Sequence, residues 1–187
     1  EDATLSAGTI TDRDGMILAS TEDGARTYAE SESVRRSLLH TVGDSSGYIG
    51  TSVQATHRSQ LIGWNLFTGL NDTIFSGLGT DIRLTIDADA NAAAYDAFGG
   101  HDGAAFIYNY ETGEVLVKIS APTYDPMNVP EDLSENEEYE GVFVDHTLSS
   151  SYTPGSIFKL VTAAAAMETL PDWSTRTYTC EESYAIG

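Results

Sequence analysis

The segment Tyr152-Thr153-Pro154-Gly155-Ser156-Ile157-Phe158-Lys159, followed by the nearly all-apolar run Leu160 to Met167, constrains this chain more than any other. A run that is apolar on almost every side predicts a helix buried inside a domain. Its alanines, Ala163 to Ala166, would let neighbouring elements approach closely. Gly155 permits a sharp turn into that helix, and Pro154 stiffens the approach. Ser156 then falls in the first turn, where free N–H groups and the helix dipole favour negative charge. Lys159 lies three residues on, so the two side chains share a face. Such a pair suits acyl transfer through a serine ester, with the oxyanion stabilised at the helix end. The lysine can take the serine proton only as a neutral amine, which burial among Phe158, Val161 and Ala163 would favour. Spacing alone leaves a structural reading open, a serine cap beside an exposed lysine, because Ser-x-x-Lys arises by chance about once in a chain of this length.

Composition narrows the partners. Nine Lys and Arg face 29 Asp and Glu, a net charge of -20 that makes a nucleic-acid backbone or an anionic membrane face an unfavourable partner. The single cysteine, Cys180, excludes an internal disulfide and a cysteine zinc site, and reads as a small core residue. His40, His57, His101 and His146 have no ligand spacing, and Asp87 and Asp89 suit a helix start, so neither metal nor cofactor is expected. No apolar run is long enough to span a membrane.

Local signals predict the elements. Ala7 to Thr11 and Met16 to Ser20 flank an Asp-Gly reversal and read as a hairpin, followed by a polar link with Arg26 and Tyr28. Helices are expected over Ser31 to His40 and, capped by Thr51 and stopped by Gly63, over Ser52 to Ile62. Trp64 to Gly79 reads as a connector. Asp81 to Ile86 alternates as a strand, and Asp87 caps a helix running to about Phe98. Gly103 to Tyr110 and Glu114 to Ser120 form a second hairpin, and prolines keep the chain irregular from Ala121 to about Val144. A boundary near Leu78 divides a smaller N-terminal part, residues 1–78, from the opening of an αβ-mixed domain, residues 79–187.

The octet ending in Lys159 resembles the active-serine box of penicillin-binding proteins, whose motifs include Ser-x-x-Lys. Other segments follow in that family's order. Gly8 to Gly15 with Leu18-Ala19 is similar to the N-terminal motif of class B members, and Arg26 and Tyr28 fit its continuation. His40 to Gly50 and Leu61-Ile62-Gly63 resemble the region after it. Gly79 to Asp87 looks like the lead into the transpeptidase domain. Gly103-Ala104-Ala105, Thr112 to Leu116, Ser120-Ala121-Pro122 and Tyr124-Asp125-Pro126 match its first hairpin and exit.

The resemblance implies an α+β fold: a pedestal-like module, then the first part of a transpeptidase domain with an antiparallel sheet and a buried active-serine helix. It implies a peptidoglycan D,D-transpeptidase that binds penicillin through a serine acyl-enzyme. Ser156 would be the nucleophile and Lys159 the base. Stem peptides ending in D-Ala-D-Ala, β-lactams, and division or elongation proteins are the implied partners. The implied place is the extracytoplasmic face of a bacterial membrane, with an anchor preceding Glu1. Alternative readings are a β-lactam sensor or a non-catalytic scaffold.

Departures accompany the likeness. Ile157 stands where the family often has threonine, Asp145-His146 where Asn-Arg is common, and Asn91 where glutamine is usual, the last with structural effect only. No Ser-x-Asn follows Ser156; Ser134-Glu135-Asn136 has those letters but precedes the serine, in an acidic loop. Neither lysine, Lys118 or Lys159, begins a Lys-Thr-Gly motif. The expectation is therefore a front portion that has little or no activity alone.

Overall fold

The N-terminal hairpin turns on a buried carboxylate. In a computed structural model describing residues 7–63, 79–177 and 179, Asp12 Oδ1 accepts from the Asp14 N–H at 2.9 Å and the Met16 N–H at 2.8 Å. Its Oδ2 accepts from the Ala88 N–H at 3.3 Å, tying the turn to a helix far along the chain. Strands β1 (Ile10–Thr11) and β2 (Ile17–Glu22) pair antiparallel across this turn, as expected. A third strand, β3 (Ala25–Tyr28), replaces the anticipated polar link. Asp23 and Gly24 join β2 to β3 with φ of 49° and 77°, the positive values that a twist-matched two-residue hairpin loop requires.

The strand expected over 81–86 shortens to β4 (Ile82–Arg83), parallel to β1, giving the sheet order β3-β2-β1-β4. Beyond it the segment keeps following β1, because the Leu84 N–H donates to Thr11 O at 2.8 Å and the Arg13 N–H to Ile86 O at 3.0 Å.

Both early helices are broken. The first divides into α1 (Glu32–Ser37), capped by Ser31, and α2 (Leu39–Val42), with Leu38 out of helical geometry at φ -102°. The second divides at His57 into α3 (Val53–Thr56) and α4 (Arg58–Leu61), and the cap is Ser52 rather than Thr51. Helix α5 (Ala88–Ala97) forms as read, with Asp87 accepting from the Ala90 N–H at 2.9 Å. Strands β5 (Gly103–Tyr108) and β6 (Val115–Ala121) make the second hairpin. The expected connector, most of the tail with Cys180, and the boundary at Leu78 lie outside the described residues.

The chain divides into two compact units, Glu1–Ser150 and Ser151–Gly187. In the first, Ile10, Leu18, Leu38, Leu61 and Ile86 form one apolar core. Leu39, Ile49, Tyr124, Leu133 and Val142 form another. Asn91 is fully buried: its Nδ2 donates to Ser37 O at 3.0 Å and its Oδ1 accepts from the Lys118 N–H at 2.8 Å, joining α1, α5 and β6. Arg35 grips Asp125 with two bonds of 2.7 Å.

In the second unit, a 3₁₀ turn (Gly155–Phe158) leads into α7 (Lys159–Thr169), none of whose side chains is buried. This corrects the expected buried helix. Its own unit, where described, offers only the entry turn and the turns after Thr169, and so no second layer to cover an apolar surface. Among the described residues no helix is long and apolar enough to cross a membrane.

The Arg35 guanidinium, against the cost of burial, holds the Asp125 carboxyl down to about 2, below its ordinary 3.8. A carboxyl depressed on folding adds stability above its unfolded pKa and loses it as pH falls through the folded one. Asp125→Asn should therefore cost about 2 kcal/mol at neutral pH. Urea unfolding of wild type and variant should converge as the pH falls from about 4 towards 2.

Candidate active site

Pro154 enters the serine turn with φ -66°, and Gly155 follows at φ +53°, in the left-handed region that glycine occupies without strain. The chain then tightens into the 3₁₀ turn, and the Lys159 N–H donates to Ser156 O as α7 begins. Ser156 and Lys159 are thus one turn apart, as their spacing predicts, but on a 3₁₀ rather than an α turn. Both side chains are exposed within their unit, and among the described residues neither Ser156 Oγ nor Lys159 Nζ forms a hydrogen bond. The packing expected from Phe158, Val161 and Ala163 is absent: Phe158 is 54% and Val161 56% exposed. Chemically the turn presents a hydroxyl nucleophile and an amine on one backbone frame.

In the first unit, a polar cluster that the sequence did not disclose fixes the segment 142–150. Asp145 has a fully buried side chain and takes the Lys118 ammonium at 2.5 Å. It also accepts from the Thr147 N–H at 3.0 Å and hydroxyl at 2.5 Å, capping α6 (His146–Ser149). Burial pushes its carboxyl up, yet the bonds from Lys118 and Thr147 outweigh it and hold the group below the ordinary range. Ser120 Oγ donates to Val144 O at 3.2 Å and accepts from the His146 N–H at 3.0 Å, so strand β6 holds both sides of the cap. His146 Nδ1 and Ser150 Oγ lie 2.5 Å apart. His40 is buried with Nε2 2.8 Å from Val142 O, and burial lowers its pKa against the pull of that carbonyl. Its ring is thus held neutral, with Nε2 donating.

Asp145-His146, which stands where Asn-Arg is common in the resembled family, opens a helix here, with Asp145 as its cap and its acid turned in to a lysine. The available signal was Lys118 itself, the lone charged residue in a mostly apolar strand. Asn136 of Ser134-Glu135-Asn136 caps a 3₁₀ turn over Glu137–Tyr139 and donates to Asp132, a local structural role. Among the described residues no group of His, Cys, Asp and Glu is arranged to hold a metal.

A model of the penicillin-binding protein transpeptidase domain matches residues 103–172, which contain both the Ser156 turn and the Lys118–Asp145 pair. Peptidoglycan D,D-transpeptidase PbpA of Mycolicibacterium smegmatis is 29% identical over 143 residues, 66% of this chain and 29% of that protein. Penicillin-binding protein PbpB of the same organism is 35% identical over 97 residues, 48% of this chain and 14% of the other. The chain therefore spans less than a third of the length of these relatives. Among solved structures, the D,D-transpeptidase domain of a peptidoglycan glycosyltransferase from Eggerthella lenta superposes with a TM-score of 0.67 at 29% identity, covering 88% of this chain and 37% of that one. PBPA from Mycobacterium tuberculosis gives 0.67 at 25% identity, covering 87% and 41%. These likenesses agree with the α+β reading and its antiparallel sheet.

Removing the acid from the buried pair strands a lysine. Asp145→Ala should cost about 3–5 kcal/mol in chemical denaturation, while Lys118→Met with Asp145→Leu should recover much of that loss.

Proposed function

Because this chain belongs to the penicillin-binding protein transpeptidases, we propose that it serves peptidoglycan cross-linking as a D,D-transpeptidase, with Ser156 as the acylated nucleophile and Lys159 as its base. The observation that carries the reading is the Pro-Gly-Ser-Ile-Phe-Lys turn inside the matched residues 103–172. Gly155 and the 3₁₀ geometry present the hydroxyl ahead of α7, with the amine at the helix start.

In this reading Ser156 Oγ attacks the carbonyl of the penultimate D-alanine of a stem peptide, and Lys159 takes its proton. The tetrahedral oxyanion collapses to a serine ester as the bond to the terminal D-alanine breaks, and the leaving amine receives the proton. An amine from a neighbouring strand then attacks the ester, forms the cross-link and frees Ser156. A β-lactam would follow the first half of this path: its ring amide opens onto Ser156, and the ester persists. Residues 1–78 would act as the pedestal-like module and 79–187 would open the transpeptidase domain, at the extracytoplasmic face of a bacterial membrane. The relatives named as peptidoglycan D,D-transpeptidases support this reading.

Intact-protein mass after incubating the full-length protein with a β-lactam tests it. A single adduct is expected on wild type and none on Ser156→Ala, with acylation slowed about 100-fold or more in Lys159→Met. A folded wild type that forms no adduct overturns the assignment. An adduct without D-alanine release from a stem-peptide mimic would instead make the protein a sensor.

A further inference from the structure

A cleft of about 440 Å³ in the first unit is lined by Arg26 of β3 and Arg58 of α4, together with Asp44, Ser45, Ser46 and Gln54. The acceptors of Arg26 are all uncharged. Its Nε donates to Gln54 Oε1 at 2.8 Å, and its Nη1 to Gly8 O at 2.8 Å, Ala7 O at 3.4 Å and Thr21 Oγ1 at 3.2 Å. The remaining nitrogen, Nη2, is buried and has no hydrogen-bond partner. In a chain with 29 Asp and Glu against nine Lys and Arg, neither Arg26 nor Arg58 forms an ion pair among the described residues.

An enclosed guanidinium without a counter-charge is costly unless something supplies one. Burial indeed lowers the Arg26 pKa, with Tyr28 offsetting it only in part. The one carboxylate lining the cleft is committed elsewhere: Asp44 Oδ1 accepts from the Tyr48 N–H at 3.0 Å and Oδ2 from the Tyr124 hydroxyl at 3.1 Å. Two arginines and one engaged aspartate leave the lining with a net positive charge, against an acidic protein. Gln54 sustains that state, since a glutamate of the same shape would neutralise Arg26 from within.

We propose that this cleft binds a small oxyanion, the carboxylate or phosphate group of a ligand, between Arg26 and Arg58. The exposed Arg58 can present the planar donor fork of its guanidinium to two oxygens of such a group, Arg26 adds its uncompensated charge, and Ser45 and Ser46 line the same cleft with further donors. The site lies wholly within residues 7–63 and does not rest on the serine chemistry proposed above, so Ser156→Ala should leave it intact.

Thermal melts of the full-length protein, titrated separately with inorganic phosphate and acetate at constant ionic strength in chloride, test the proposal. A saturable rise in Tm with at least one of them is expected. A response to phosphate alone identifies a phosphate site, and one to acetate a carboxylate site. Gln54→Glu places a carboxylate on Arg26 Nε and should abolish the response, and Arg58→Gln should weaken apparent affinity about tenfold. The Arg58 side chain is exposed, so its variant decides the matter even if Gln54→Glu does not fold. No saturable response to either anion on wild type, or an undiminished one in Arg58→Gln, overturns the proposal.

Discussion

The bidentate bond between Arg35 and Asp125 joins residues ninety positions apart, and much of the first unit hangs from it. Arg35 Nη1 also donates to Ala29 O and Glu30 O, which fixes the turn into α1. Asp125 in turn accepts from the Met127 N–H and the Asn128 amide, which fixes the loop leaving β6. Arg36 adds a bond to Thr123 O, and Asn91 ties the far side of α1 to β6. Helix α1 is thereby pinned to the sequence following β6, and the break at Leu38 becomes intelligible. Leu38 packs into the core beneath the N-terminal sheet, while its neighbour Leu39 packs into the core around Tyr124. The helix thus breaks at the point where consecutive residues turn to two different cores.

The same pairs explain how so acidic a chain spends its few cations. Arg35 and Lys118 retain only 13% and 14% of their side-chain exposure, each against a carboxylate that is buried more deeply still. A buried carboxylate must be charged and held by donors, or else protonated, and both Asp125 and Asp145 are kept charged by a cation with further hydrogen bonds. Asp12 and Asp44 are buried on uncharged hydrogen-bond donors alone. Arg26 is their cationic counterpart, enclosed beside neutral acceptors.

What the sequence disclosed was local. The Asp87 cap, the Asp12–Gly15 reversal and the β5–β6 hairpin depend on residues within a few positions of one another, and each formed where its signal stood. The Asp23-Gly24 reversal was equally local but escaped, because Ala-Arg-Thr-Tyr shows no apolar alternation and β3 is held by its partner strand. The helix break at Leu38, the Arg35–Asp125 grip and the Lys118–Asp145 pair were not legible, since each answers to contacts distant in sequence. Asp125 reads as a turn residue in Tyr124-Asp125-Pro126; only the fold brings Arg35 to it.

The serine turn divides along the same line. Where Ser156 stands relative to Lys159 is decided by Pro154, Gly155 and a single turn of backbone, so a stretch of eight residues carried the candidate pair into view. Whether Lys159 can accept a proton is a different quantity. An amine becomes a base near neutral pH only when its surroundings disfavour the charged form, and surroundings are tertiary. Within its own unit α7 buries nothing, and Ile157, Leu160 and Val161 remain 71%, 77% and 56% exposed. Those apolar faces are what a covering layer would need in order to exclude water from the amine. The relative position of Ser156 and Lys159 is therefore encoded locally, whereas the environment of the amine depends on whatever covers those faces.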